Sequence, residues 1–473
     1  MRHFRPYKTV SPRYEGEPIA GLPSAAMVLT NSERREAWCS RRWLFSYGRL
    51  ISGLPSIAMQ WGSFYHSILE DMYIHWANES GEKRLQYSGA DLYVCGDTLH
   101  QSGLHSSCGR CGGSLSGPIA RIEKELQSDP EYWDRQAEKY GGIDGLLKSL
   151  HDTAVGYLHI YGMYGPKNFD VLAVEIPVAL PVLNSNGKVY KSQVPIVDLG
   201  EGNGWRLATF REKKPWRMVR LPWYQIGRLD CLLRHKETKE LYVLEFKTSA
   251  NPTSYGKDLH LDNQLPGYIA AAAHLGLGKV RGYIWDVSSS RKQVEPRVLA
   301  SGKLSTAKQN CPSWKYKEAV DLVISGGSGS TVDYSIEDIN KSKEFVRYLK
   351  ESVDTKLYHR EWGNPAESVI DRYETELLVD AQRFAKMRRA LVTSGTEESV
   401  LSSFPRVPFC RGPGSSCSYA GICMEGGGDL DLVIDSMING PNTGVEERGS
   451  VRFTETKTKN KENKENKICP PMF

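Results

Sequence analysis

Residues 225–248 read QIGRLDCLLRHKETKELYVLEFKT. Two short apolar runs, 225–233 and 240–248, flank a charged turn, a pattern that predicts two neighbouring strands. Asp230 lies in the first run, in Gly227-Arg228-Leu229-Asp230, and Glu245 lies fifteen residues later in Leu244-Glu245-Phe246-Lys247-Thr248. On adjacent strands these two carboxylates meet at one end of a sheet. Glu245 and Lys247 are two residues apart, so they share one face of their strand. Their strand is otherwise apolar (Leu241, Val243, Leu244, Phe246), and charges in such a strand cost energy unless they have a use. Two carboxylates and a backbone carbonyl make a hard oxygen site suited to Mg²⁺ or Mn²⁺. An ammonium beside that ion orients or helps deprotonate an attacking water and offsets charge on a phosphate. These are the parts needed to hydrolyse a phosphodiester. The competing reading is a salt-bridge ladder on two surface strands, and the spacing alone does not separate the two.

The surroundings predict an α/β fold. Residues 170–182 and 279–287 are further short apolar runs, and 260–276 end as an Ala-rich helix. Strand, strand, helix, strand in that order gives a sheet with a crossover. Upstream, residues 61–77 carry Phe64, Ile68, Met72 and Trp76 at helical spacing, with His66 among them. Downstream, 336–358 and 366–393 read as helices, the second with Ile370, Tyr373, Leu377, Ala381, Phe384 and Leu391 on one side. The expected organisation is an arm over 1–24, a helical segment over 25–87 and a Cys/His insertion over 88–118. A core over 119–300, a helical segment over 301–400, a cysteine-rich segment over 401–428 and a disordered tail over 440–473 complete it.

The order of these motifs resembles the RecB-type branch of the PD-(D/E)XK nuclease superfamily. That branch carries a Gly-x-x-x-His helix, then Gly-x-x-Asp, then Asp/Glu-x-Lys-Thr, then Gln-x-x-x-Tyr. Here these are Gly62 to His66, Gly227 to Asp230, Glu245 to Thr248 and Gln264 to Tyr268. Glu175, in Val174-Glu175-Ile176, matches a glutamate on the strand before the Asp motif. The resemblance covers roughly residues 30–290, with long insertions. It implies a restriction-endonuclease-like mixed sheet flanked by helices. It implies that Asp230, Glu245, His66 and the Phe246 carbonyl hold the catalytic metal, that Lys247 positions the water, and that Gln264 and Tyr268 contact DNA.

Seven of the ten cysteines fall into two systems, while Cys231 reads as core and Cys311 and Cys469 have no partner pattern. Cys39 lies near one end of the chain, and Cys410, Cys417 and Cys423 lie near the other. Four thiolates hold a 4Fe–4S cluster or a tetrahedral Zn²⁺, or are unrelated buried thiols. The one-plus-three arrangement resembles the iron–sulfur nucleases of the RecB-type branch, phage-encoded members in particular. This implies a cluster that ties the terminal helical segments together around the core. The gap between Cys410 and Cys417 is wider than in many members. The second system is Cys95 with Cys108-Gly109-Arg110-Cys111. A C-x2-C turn with Gly after each Cys is a metal knuckle, and His105 or His100 completes a zinc-type site. The other reading of that segment is a solvent loop.

Residues 211–223 hold Arg211, Lys213, Lys214, Arg217 and Arg220 with Trp216 and Trp223. Cations that track phosphates, interleaved with rings that stack on bases, suit single-stranded DNA. A solvated hairpin is the alternative. The net charge of +5 says little, because residues 452–473 alone hold six basic and three acidic side chains. At 473 residues, with 40% hydrophobic and 25% charged residues, the chain has material for a sizeable core. No apolar run is long enough to span a bilayer, and no secretory leader is visible after Met1, so no membrane partner and a cytoplasmic setting are expected, that of the host for a phage protein. No phosphate-cradling GxxxxGK motif occurs, so any helicase or recombination function is expected in a partner. The reading as a whole is a metal-dependent DNA nuclease, an exonuclease acting on single strands or ends. A sequence- or structure-specific endonuclease of the same superfamily, a non-catalytic metal-stapled nucleic-acid-binding protein and a metal-dependent RNase are its rivals.

Overall fold

The computed structural model describes residues 25–37, 39–44, 57–79, 112–162, 168–198, 205–208, 215–256, 264–324, 334–394 and 402–404, with short pieces at 13–14, 17–19, 22–23, 51–53, 86–87, 90–91 and 445–447. The architecture is mixed α/β. An eight-stranded sheet carries helices on both faces.

The strands are β1 (Met27–Leu29), β2 (Phe169–Pro181), β3 (Lys191–Asp198), β4 (Trp205–Leu207), β5 (Trp216–His235), β6 (Leu241–Ser249), β7 (Val280–Ser289) and β8 (Tyr358–Gly363). The main path runs β8-β7-β6-β5-β3-β4, with β1 and β2 also paired to β5. β5 and β6 are antiparallel and β6 and β7 parallel, so the helix between the latter two is a crossover. This is the order expected from residues 225–287.

The helices used below are α1 (Asn31–Glu36), α2 (Ile57–Glu79), α3 (Gly112–Leu126), α4 (Gly142–Tyr161), α5 (Gln264–His274), α6 (Ser313–Ile324), α7 (Ile336–Leu349) and α8 (Glu367–Thr393). One core, on one face of the sheet, joins α5 and α8 to Leu229, Leu232, Val243 and Trp285. The other joins α2 and α4 to Cys231, Leu233, Leu244 and Phe246. On α8, Tyr373, Leu377, Ala381, Phe384 and Leu391 are buried, as their spacing predicts. Cys231 is fully buried core. α6 and α7 enclose a small satellite core around Tyr316 and Phe345. Among the described residues no helix is long and apolar enough to cross a membrane.

Two strands lie where the sequence gives no clean apolar alternation. Tyr358–Gly363 is a polar edge strand anchored by Arg360, whose guanidinium donates two hydrogen bonds to the buried Asp286 carboxylate at 2.5 Å each. Trp216–Pro222 extends β5 well before its apolar stretch and pairs with β3.

Candidate active site

The site forms where β5 and β6 part. Their ladder runs from Arg234 opposite Leu241 to Cys231 opposite Leu244, and the next residues are Asp230 and Glu245. The Phe246 N–H, just beyond, donates to Asp230 Oδ2 at 2.7 Å. A buried amide left without an acceptor costs on the order of 1–3 kcal/mol. The Asp230 carboxylate therefore takes the place of a strand at the fork.

On its other edge β5 pairs with β2. Leu229 faces Ile176 and Cys231 faces Val174, which leaves Asp230 opposite Glu175. Glu175 has φ 54°, a left-handed conformation inside a strand. Strict alternation would put Leu229 and Cys231 on one face. Instead Leu229 and Ile176 pack in the core with α5, while Cys231 and Val174 pack in the core with α2. Both strands change face at this one pair. The kink brings ligand atoms of Glu175, Asp230 and His66 within 4.8 Å of one another.

His66 arrives from α2. Its Nε2 lies 2.8 Å from the Phe246 carbonyl oxygen, which can only accept, so Nε2 carries the proton. Nδ1 then presents its lone pair, 3.9 Å from Asp230 Oδ2. Burial and the charge of Lys247 hold the imidazole below its ordinary pKa, in the neutral form that ligates metals.

Lys247 and Glu245 are bonded through Nζ and Oε1. Gln264, first residue of α5, ties the group together. Its Oε1 accepts from Lys247 Nζ at 3.1 Å, and its Nε2 lies 2.6 Å from Glu245 Oε1 and 2.8 Å from the Tyr268 hydroxyl. The Lys247 ammonium also lies over the Trp285 ring, 5.3 Å from its centroid. Burial opposes this charge, yet Glu245 and Asp230 lift the Lys247 pKa above its usual value.

The site is short of positive charge. Burial pushes Asp230 up to about 6, against the opposing pull of Lys247. Burial and the Asp230 charge push Glu245 up to about 8. Glu175 stands well above its ordinary value through burial and the charges of Glu70 and Asp230, although Arg228 Nη1 donates to its Oε2 at 3.0 Å. Among the described residues Glu245 Oε2 is buried and has no hydrogen-bond partner. Carboxylates that raise one another's proton affinity, a neutral imidazole and an orphaned carboxylate oxygen fit a divalent cation of the Mg²⁺ or Mn²⁺ type.

The structure thus gathers His66, Glu175, Asp230, Glu245, Phe246, Lys247, Gln264 and Tyr268 in one place. Trp216 and Arg217 lie apart, on the first half of β5, and alternation sends them to opposite faces. Arg217 lies 3.8 Å from Asp198. Cys39 is buried. Cys410, Cys417 and Cys423, and the zinc-type set Cys95, Cys108, Cys111 and His105, lie outside the described residues, as do most of the 1–24 arm, most of the 88–118 insertion and most of the 440–473 tail. Glu70 and Arg228 were missed from sequence. The signal for Glu70 was available: it follows His66 by four residues, one turn along the same helix.

No curated protein matches the chain. The family model of the PD-(D/E)XK nuclease superfamily matches residues 35–424, which include every residue of the fork. An eight-stranded mixed sheet between two helical layers is consistent with the restriction-endonuclease-like fold. On the length of that match, with the forked strands and their carboxylates inside it, the chain belongs to the PD-(D/E)XK nuclease superfamily.

Proposed function

We propose that this nuclease is a metal-dependent deoxyribonuclease that degrades DNA from single strands or ends. One observation carries the reading: the clustered ligand atoms of His66, Glu175 and Asp230 lie beside a Glu245–Lys247 pair whose second carboxylate oxygen is orphaned. PD-(D/E)XK nucleases typically use Mg²⁺ or Mn²⁺. When bound, such an ion supplies Lewis-acid charge to the scissile phosphate and the leaving oxygen.

The protein groups have separate tasks. Asp230, Glu175 and His66 Nδ1 are donors to the ion, joined by Glu245 Oε2 and the Phe246 carbonyl. Glu245 and Asp230 keep Lys247 charged, so it acts as a hydrogen-bond donor that orients the attacking water and neutralises a phosphate oxygen. Gln264 fixes Lys247 and Glu245 in register, and Tyr268 buttresses Gln264 from one turn further along α5. Gln264 also faces the DNA backbone in this reading, with the buried Tyr268 acting on DNA only through it, and Trp216 and Arg217 belong to a more distant contact.

Cys39 with Cys410, Cys417 and Cys423 holds a structural 4Fe–4S cluster in the same reading. Cys95, Cys108, Cys111 and His105 hold a structural Zn²⁺. The setting in this reading is DNA replication, recombination or degradation in a cytoplasm, that of a phage-infected host, with a helicase or recombination partner to load the enzyme.

The test compares anaerobically purified wild type with Lys247→Ala on end-labelled single-stranded DNA, with Mg²⁺, Mn²⁺ or EDTA. Metal-dependent loss of label in wild type alone supports the reading, and the product ladder gives polarity. Cleavage of closed circular DNA would instead establish an endonuclease. No cleavage of linear DNA, circular DNA or RNA by folded wild type would sink the enzyme reading. Iron and zinc content of the same preparation tests the two cysteine sets.

A further inference from the structure

We propose that Trp285 is a positioning residue for Lys247, and that it holds the ammonium through the face of its indole ring. The proposal rests on the nuclease reading for the task of Lys247.

The sheet puts the two side chains together. On β6, Val243 joins the core with α5, while Leu244 and Phe246 join the core with α2. By alternation Glu245 and Lys247 take the α5 side. On β7, Trp285 and Val287 join the core with α5, and Ile284 joins the core with α2. The ladder sets Trp285 beside Glu245 and Val287 beside Lys247. Trp285 therefore stands one side-chain position back from Lys247 on the same face, and the long lysine stem reaches across to it. Nζ ends over the ring, 5.3 Å from its centroid. A ring quadrupole attracts a cation within about 6 Å.

The contact is made in a dry place. Trp285 is fully buried, and the Lys247 side chain is 20% exposed. Attraction between a cation and a ring is weak where water competes and stronger where both partners are desolvated. Among the described residues the Trp285 indole N–H has no hydrogen-bond partner. The ring face is thus what Trp285 offers the site. An aliphatic side chain there would strand no N–H and would give the ammonium nothing.

Three groups hold the ammonium, and two of them have a second task. Glu245 Oε1 is bonded to Nζ, and Gln264 Oε1 accepts from it at 3.1 Å. In the proposed reaction Glu245 also serves a divalent ion, and Gln264 also faces the substrate. A hard divalent ion takes oxygen ligands and has no use for an indole face. Trp285 alone of the three keeps its hold on Lys247 whatever the site binds. Acting through Lys247, it should govern turnover and leave substrate binding alone.

The experiment places tryptophans with one, two and three ring fluorines at position 285 by site-specific incorporation. Fluorine draws electron density from the ring face and changes its shape little. The same series at Trp223 is the control. Trp223 is fully buried in the same core, and no cation lies over its ring among the described residues. On end-labelled single-stranded DNA with Mn²⁺, kcat should fall stepwise along the 285 series, by about fivefold in total, with KM within about twofold. Neither constant should move more than about twofold along the 223 series. Trp285→Phe, with a weaker ring face, should lie between wild type and Trp285→Leu. If Trp285→Leu does not fold, the fluorinated proteins still decide the matter, provided their melting temperatures stay near wild type.

A second measurement needs neither metal nor DNA. The fluorine NMR resonance of monofluorinated Trp285 should move when Lys247→Met removes the charge, and that of monofluorinated Trp223 should not. A flat kcat along the 285 series, an equal fall along the 223 series, a loss carried by KM, or an unmoved Trp285 resonance would each overturn the proposal. Failure of the nuclease reading would appear separately, as absent cleavage by a wild type whose Trp285 resonance still responds to Lys247→Met.

Discussion

Gly62 of α2 lies directly against Thr248 of β6: a Cβ on Gly62 would sit 2.8 Å from Thr248 Oγ1. The next nearest atom is Thr248 Cβ at 4.0 Å, so the hydroxyl alone sets the limit. His66 follows one turn later on α2 and is bonded to Phe246 of the same β6. The distance between helix and strand at Gly62 therefore sets where the imidazole stands. Alanine is favoured over glycine by about 1 kcal/mol in a helix interior. Despite that gain, Gly62→Ala should lower activity at least tenfold, because α2 must move off β6. Thr248→Ala in the same chain removes the obstruction and should restore most of the loss. An inactive double variant would show that Gly62 serves something other than this approach.

A second close approach explains another motif pair. A Cβ on Gly227 would lie 2.8 Å from the Tyr268 ring. Tyr268 needs that room to bring its hydroxyl to Gln264. Gly227→Ala should therefore behave like Tyr268→Ala, with reduced turnover and Gln264 released from Glu245. A buried overpacked site of this kind costs about 1–3 kcal/mol, readable as a lower urea midpoint. Full activity with an unchanged midpoint would exclude the steric account.

Asp230 has two duties that substitutions can separate. Asn keeps an oxygen for the Phe246 N–H, whereas Ala leaves that buried amide unsatisfied at about 1–3 kcal/mol. Both variants should be inactive. In metal-free protein at pH 8, Asp230→Asn should be more stable than wild type, because burial opposes the ionised carboxylate. Asp230→Ala should be less stable than Asp230→Asn. Urea unfolding in EDTA gives the order directly.

The same carboxylates set a pH dependence with a definite sign. In the folded chain Asp230 titrates near 6 and Glu245 near 8, both above their ordinary values of 3.8 and 4.5. Between those values the folded state holds protons that the unfolded state has released. Stability of the metal-free protein should therefore fall as pH rises from about 4 to about 8 and level off beyond. A bound divalent ion displaces those protons, so its stabilisation should grow across the same window. Melting temperatures at pH 5 to 8, with EDTA or Mn²⁺, check this. A metal-free melting temperature that climbs steadily over that range would contradict it.

Much of the site was legible because its residues lie in short local patterns. Asp230, Glu245 and Lys247 declare themselves as charges in apolar strands, and strand periodicity places them together. The metal-facing role of Glu175 gains its geometry from a left-handed φ, which no residue type at that position announces. The strand over Trp216–Pro222 was hidden because Arg217 and Arg220 fall on opposite faces, so neither face reads as cleanly apolar. The same holds for Tyr358–Gly363, an edge strand fixed by the long-range Arg360–Asp286 pair. Contacts between residues 74 positions apart leave no trace in a local window.

The buried pair of Glu33 and Arg388 presents the last case, since it closes the chain by charge. Arg388 Nη2 donates to Glu33 Oε1 at 2.8 Å, and the Trp43 indole N–H donates to the same oxygen at 3.0 Å. The Arg388 guanidinium also lies over the Trp43 ring, 4.7 Å from its centroid. These contacts fix α1 and the turn of helix that follows Cys39 against α8. Burial raises the Glu33 pKa and the Arg388 charge only partly offsets it, so the carboxylate depends on its partner. Arg388→Met should cost about 3–5 kcal/mol, because it leaves a buried charge uncompensated. Glu33→Leu with Arg388→Met should cost less than Arg388→Met alone, because no charge remains to be stranded. If Cys39 ligates a cluster, Arg388→Met should also lose iron faster under chelation, since the segment carrying Cys39 loosens. Urea unfolding of the two single variants and the double reports the coupling, and costs that simply add would show that the pair is not the clamp.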